Sequence, residues 1–169
     1  YMESRDIDGD GLIESKQSGN RGSQPPRDPD CAWDCYVSGH KNAYVNALAY
    51  RAWRAMESLE NRIGRREQAE HYGRQAERLK ASFLNTFYNP ETGWLAFWQS
   101  EDGELHDLHM DMPTSLAVAY GVVEPDRGRQ MLQRYWQALG QSGFTRFDLG
   151  VPLGLRPVPR DQMAHYTEF

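Results

Sequence analysis

Two long stretches of helical periodicity, separated by a single glycine turn, constrain this chain more than any other feature. Over 40–63, Val45, Leu48, Ala49, Ala52, Trp53, Met56 and Leu59 recur at three- and four-residue steps. Ala43, Tyr44, Ala47, Tyr50 and Ala55 add apolar character on other faces. A helix that is apolar round much of its circumference belongs inside a protein. Gly64 then supplies a stop signal. Over 66–87 the apolar residues narrow to one stripe: Ala69, Tyr72, Ala76, Leu79, Phe83 and Phe87. Glu67, Glu70, Arg74, Glu77, Arg78 and Lys80 occupy the rest, so this is a surface helix with one buried face. The short connection makes the pair antiparallel neighbours. The expected unit is a hairpin with an inner and an outer helix.

The pattern then returns. Pro113 is placed to open a third helix running to 121, almost wholly apolar through Leu116, Ala117, Val118, Ala119 and Tyr120. Pro125 opens a fourth, to about 139, with a stripe of Met131, Leu132, Tyr135, Trp136 and Leu139 before Gly140. Between the pairs lie turn residues at 89–93, an apolar aromatic segment at 94–99, a turn at 101–103 and a segment at 104–108. These predict a short β-hairpin inserted between helices. The chain therefore divides into a Gly-, Pro-, Ser- and Asp-rich loop region over 1–38, two helical hairpins over 39–139, and an irregular tail over 140–169. The fold class is all-α.

Composition closes off several functions. The net charge is -5, and the basic residues are mixed with acids rather than gathered in a stripe, so nucleic acid is not the expected partner. No apolar run reaches transmembrane length and no signal peptide is present, so no membrane partner is expected. The chain starts at Tyr1 and stops at Phe169 in an irregular aromatic stretch. Both ends read as cut, which leaves the compartment open, cytoplasmic or secreted. Cys31 and Cys35 are too few for a disulfide framework; their spacing allows a local bridge, and a zinc site would want more ligands nearby. Aromatics make up 12 % of the chain, including five Trp and nine Tyr. They serve a core, and they are also the side chains on which sugar rings stack.

The candidate chemistry starts at Trp33-Asp34, where an acid follows a tryptophan late in the polar loop and a helix begins a few residues later. A carboxyl beside an indole is partly desolvated, which raises its pKa and lets it act as an acid near neutral pH. The competing role for Asp34 is a carboxylate that accepts backbone N–H bonds where the helix starts. Trp33 either walls a pocket or packs under Asp34. His40, Lys41 and Asn42 precede the inner helix on the same side and are candidates to hydrogen-bond a polar ligand, although Lys41 is equally a solvated charge. Asn46, one turn further on, is placed to brace the loop. His106, Asp107 and Asp111 precede the third helix and should return to the same end as Asp34. Trp98 is a stacking platform or core, and His71 is expected at the surface. Arg156 and His165 lie in the tail and are candidates to border the pocket. Asp6, Asp8 and Asp10 with Gly11 copy the first half of an EF-hand loop, but position twelve is Gln17 instead of an acid. The loop is either a structural calcium site or a turn held by side-chain-to-backbone bonds.

Several stretches together resemble the six-hairpin glycosidases, the (α/α)6-barrel glycoside hydrolases that include glucoamylase-like, trehalase-like and amylo-1,6-glucosidase-like enzymes. They are Asp8-Gly9-Asp10-Gly11-Leu12-Ile13-Glu14, Trp33-Asp34, Asn46-Ala47-Leu48-Ala49-Tyr50, Tyr88-Asn89-Pro90 with Gly93-Trp94, and Pro113-Thr114-Ser115-Leu116-Ala117. The resemblance implies a partial (α/α)6 toroid of helical hairpins, in which this chain forms about a third of a single catalytic domain. It implies an inverting hydrolase of α-linked glucosides or related oligosaccharides, with Asp34 at the general-acid position and the base outside this chain. No cofactor is required, and the acidic loop is the one candidate for a structural calcium. The implied partners are the oligosaccharide substrate and the rest of the catalytic domain. Glu168 is too early for the base and is assigned as a sugar contact.

Two other classes remain. A sugar epimerase or polysaccharide lyase uses a related toroid, but an epimerase would depend on paired histidines, and the five His here do not pair obviously. A non-catalytic calcium-stabilised carbohydrate-binding module would keep its function without Asp34.

Overall fold

A computed structural model describes residues 1–15 and 38–163. Among these residues four α-helices carry the fold: α1 (Ala43–Arg62), α2 (Arg66–Phe87), α3 (Met112–Ala119) and α4 (Pro125–Gln141). The Asn42 side chain starts α1 by accepting the Val45 N–H at 3.2 Å, which satisfies a donor that the first turn would otherwise leave free. Gly64 ends it in the left-handed conformation, φ +80°. The Arg65 and Gly64 N–H groups then donate back to the Glu60 and Asn61 carbonyls.

α1 and α2 run antiparallel against each other over one core. α1 contributes Ala43, Ala47, Tyr50 and Trp53; α2 contributes Ala76, Leu79, Phe83 and Phe87. Leu79, Phe83 and Phe87 are fully buried, and burial of such side chains stabilises by about 1.5–3 kcal/mol each. α1 also packs against α3, and α3 against α4. The two inner helices are therefore neighbours, each with its own outer helix. This is the arrangement of two successive hairpins in a helical toroid, as the inner-outer patterning predicts.

Two helices bury less of their apolar surface than expected. On α1, Leu48 and Leu59 are exposed, and on α4 so are Leu132 and Trp136. On α4 the buried set is Met131, Tyr135 and Leu139. Leu132 and Trp136 each lie one residue, about 100° round the helix, from that row. Trp136 stacks instead on Phe147, with ring centroids 4.6 Å apart.

The aromatic segment at 94–99 is not one strand. It breaks at 96–97 into β3 (Trp94–Leu95) and β4 (Trp98–Gln99). β3 pairs back with β2 (Tyr88–Asn89). β4 pairs with β5 (Leu105–His106), which is the expected hairpin, and on its other side with β1 (Lys41–Asn42). The first residues of the expected 40–63 helix are thus taken by β1. The resulting three-stranded sheet brings together the segments that precede α1 and α3, so both reach the same end of the helices.

Candidate functional site

The acidic loop is the first structure at that end. Every oxygen of its three aspartates already holds an N–H donor. Asp6 accepts from Gly11 N and Arg78 Nη2, Asp8 from Asp10 N and Lys41 Nζ, and Asp10 from Leu12 N and Lys41 Nζ. The Lys41 ammonium sits 2.5 Å from Asp8 Oδ2 and 2.6 Å from Asp10 Oδ2, with Glu14 Oε1 at 3.8 Å. The aspartates do gather within 4.8 Å of one another. However, calcium takes six to eight oxygens, and here the Lys41 charge and main-chain N–H groups hold the ones on offer. The loop is thus held by ion pairs and side-chain-to-main-chain bonds, with the Lys41 ammonium beside its carboxylates.

Lys41 is buried, and so is Glu14 beside it. Burial pulls the Lys41 ammonium down, but the Asp10 and Asp8 carboxylates outweigh it and hold its pKa above the ordinary value. Burial pushes Asp8 up, and the Lys41 and Asp10 hydrogen bonds bring it below the usual carboxylate range. Burial, reinforced by the Asp8 carboxylate, raises Glu14. Burial and then the Lys41 charge lower the His40 pKa below the ordinary imidazole value. Lys41 is therefore a buried cross-link rather than a solvated charge. Asn42 is a helix cap. Asn46 braces the loop as expected: its side chain bonds both main-chain groups of Ile13.

The three candidates before α3 differ in what they do. His106 is buried and stacked on Trp98, with ring centroids 3.8 Å apart and planes 8° from parallel. Trp98 is fully buried, so it is core rather than an open platform. Asp107 accepts four hydrogen bonds, from Asn89 Nδ2, Thr92 Oγ1, Trp94 Nε1 and the His109 N–H. A carboxylate has about four lone-pair sites, so Asp107 is committed to holding the β2–β3 turn. Asp111 is half-buried, and burial raises its pKa. Across the sheet, Asn42 and Trp98 are register partners. Asn42 Nδ2 and Trp98 Nε1 are both buried without an acceptor among the described residues. His71 lies at the surface, bonded to Glu3.

Glu14 and His109 were not singled out from the sequence as site residues. Glu14 had a signal, an acid closing the Asp8–Glu14 motif directly after Leu12 and Ile13. His109 had none. It is the one non-glycine residue with positive φ among those described, at +52°. Three bonds pin it there: its N–H to Asp107 Oδ1, and its carbonyl to Tyr135 Oη and to the Leu155 N–H. Burial lowers its imidazole pKa, against Asp107 and with Arg156. Backbone strain held this firmly tends to mark functional positions.

Trp33, Asp34 and Glu168 lie outside the described residues, as do Cys31, Cys35 and His165. The described site residues are those of the acidic loop and of the segments that precede α1 and α3. The model of the amylo-alpha-1,6-glucosidase family matches residues 39–168. The chain belongs to that family. Membership in the amylo-alpha-1,6-glucosidase family confirms the glycosidase-like resemblance read from the motifs and gives carbohydrate as the substrate class. The matched span holds His40, Lys41, Asn42, His106, Asp107, Asp111 and Glu168, and starts after Asp34. No curated protein matches the chain. No helix among the described residues is long and apolar enough to cross a membrane.

Proposed function

We propose that residues 1–169 form about a third of a single (α/α)6 catalytic domain, one that hydrolyses α-glucosidic bonds with inversion. Asp34 is its general acid. Its carboxyl gives a proton to the leaving glycosidic oxygen as the C1–O bond breaks. Water attacks C1 from the opposite face and gives its proton to a carboxylate base from outside residues 1–169. The two carboxyls stand about 6.5–9.5 Å apart, which leaves room for that water. The family is described by an α-1,6-glucosidase of amylo-type glucans, so α-1,6 branch points are the first linkage to test. Trp33, His40, Asp111 and Glu168 are the sugar contacts. Lys41, Asn42, His106 and Asp107 hold the surrounding backbone.

The observation that carries this reading is the family match over 39–168. The three-stranded sheet supports it, because it gathers the segments before both inner helices at one end. The test is Asp34→Asn in the complete protein, with an α-1,6-linked glucan and with α-glucosyl fluoride. Hydrolysis of the glucan should fall by about 10²–10⁴-fold with binding retained. The fluoride, whose leaving group needs little proton assistance, should lose far less. Equal activity of mutant and wild type on the glucan would remove Asp34 from the reaction. Hydrolysis of neither substrate by the wild type would remove the glycosidase reading.

A further inference from the structure

A cavity of about 650 Å³ opens between the β2–β3 turn, the C-terminal half of α4 and residues 155–156. Of the residues that the sequence singled out as bordering a pocket, Arg156 lines it. Its walls include Glu91, Trp94, His109, Arg134, Gln137 and Arg156. Three features set it apart from ordinary surface.

First, Arg134 and Arg156 both line this space, and neither guanidinium has a hydrogen bond or ion pair among the described residues. Two unpaired like charges lining one concavity favour an anion, although Glu91 lines the same space. Second, Arg134 passes close over the β2–β3 turn. Its stem lies across the bare α-carbon of Gly93, where a Cβ would collide with its Cδ and come within 2.7 Å of Nη1. Third, the strained, triply pinned His109 adds an imidazole that makes no side-chain hydrogen bond among the described residues.

A bare anion does not account for the whole wall. The space is far larger than one phosphate needs, and it falls in the range of pockets for small organic ligands. The Glu91 carboxylate would repel an anion placed against it, but it would accept hydroxyl donors, and the Gln137 amide both gives and accepts hydrogen bonds. We propose that this cavity binds a phosphorylated sugar, with the phosphate held by Arg134 and Arg156 and the hydroxyls by Glu91, Gln137 and His109. Arginine suits the task because its planar fork meets two phosphate oxygens at once. The site stands independently of the assignment of Asp34.

The test is calorimetric titration of the complete protein with glucose 6-phosphate, inorganic phosphate and glucose. Wild type should bind glucose 6-phosphate at least about tenfold more tightly than either of the others. The double variant Arg134→Gln/Arg156→Gln should weaken that binding by at least about tenfold. Both residues are exposed, so the fold is not at stake. Glu91→Gln should weaken glucose 6-phosphate while leaving inorganic phosphate unchanged or tighter, a crossed pattern that a purely structural role would not produce. Equal affinity for inorganic phosphate and glucose 6-phosphate would overturn the sugar part. No binding, or binding that the double variant leaves intact, would overturn the site.

Discussion

Asn46 grips Ile13 by both of its main-chain groups. Its Oδ1 accepts the Ile13 N–H at 2.6 Å, and its Nδ2 donates to the Ile13 carbonyl at 3.0 Å, as well as to the Asn42 carbonyl one turn earlier. A side chain fully buried on an inner helix thus substitutes for a β-strand partner. It fixes the acidic loop 33 residues away in sequence. Truncation would leave these part-buried main-chain groups short of partners. Asn46→Ala should lower stability by about 2–4 kcal/mol, read as a drop in the urea midpoint. A change under about 0.5 kcal/mol would mean that the loop is held elsewhere.

Lys41 makes the neighbouring connection, and it competes directly with calcium. In the wild type, millimolar calcium should leave the unfolding temperature unchanged, because the ammonium already neutralises Asp8 and Asp10. Lys41→Met removes that charge from among the carboxylates and should cost about 3 kcal/mol. Calcium should then recover part of the loss by binding the folded state. Stabilisation of the wild type by calcium as strong as that of the variant would sink the cross-link account.

The same cluster sets a pH dependence. Glu14 has its folded pKa raised by burial, so the folded state binds its proton more tightly than the unfolded state does. Its contribution is present at low pH and is lost as pH rises from about 4.3 through the raised folded value. Asp8 is held low and acts oppositely: its contribution is present above about 3.9 and is lost as pH falls through its folded value. Glu14→Gln should therefore flatten the decline on the upper side and leave the acid limb in place. Urea midpoints measured across that range check it, and an unchanged upper limb would show that Glu14 titrates normally.

Two glycines of the acidic loop separate backbone strain from contact. Gly9 and Gly11 both have positive φ, +80° and +92°. A Cβ on Gly9 meets nothing within 4 Å, whereas one on Gly11 comes within 2.9 Å of the Arg78 and Leu79 backbone on α2. Gly9→Ala should cost only the conformational strain, about 1–2 kcal/mol. Gly11→Ala should cost about 1–3 kcal/mol more, because a helix backbone cannot step aside. Equal melting temperatures for the two variants would mean that the loop does not seat on α2.

Much of this architecture was legible from local chemistry. The start of α2 at Arg66, the stop at Gly64 and the proline-led start of α4 at Pro125 all follow from rules that operate within one or two turns. The bracing role of Asn46 was also legible, because a polar residue one turn into an apolar helix needs a partner. The strands were harder. β1, β3, β4 and β5 have two residues each, too few for an alternating pattern to emerge, so the partner of Lys41–Asn42 could not be read.

By itself the sequence determined the four helices, the inner and outer character of each, and the family to which such a pattern of helices and motifs belongs. Periodicity and end-capping are local, and each residue carries that information in its own side chain. Only the tertiary structure decided that Lys41 is a buried cross-link, that Asp107 spends its oxygens on a turn, that His109 is strained, and that Arg134 and Arg156 share a cavity. These depend on which distant groups arrive beside one another. Burial and charge pairing, which set both pKa and hydrogen-bond demand, exist only once the chain has closed around them.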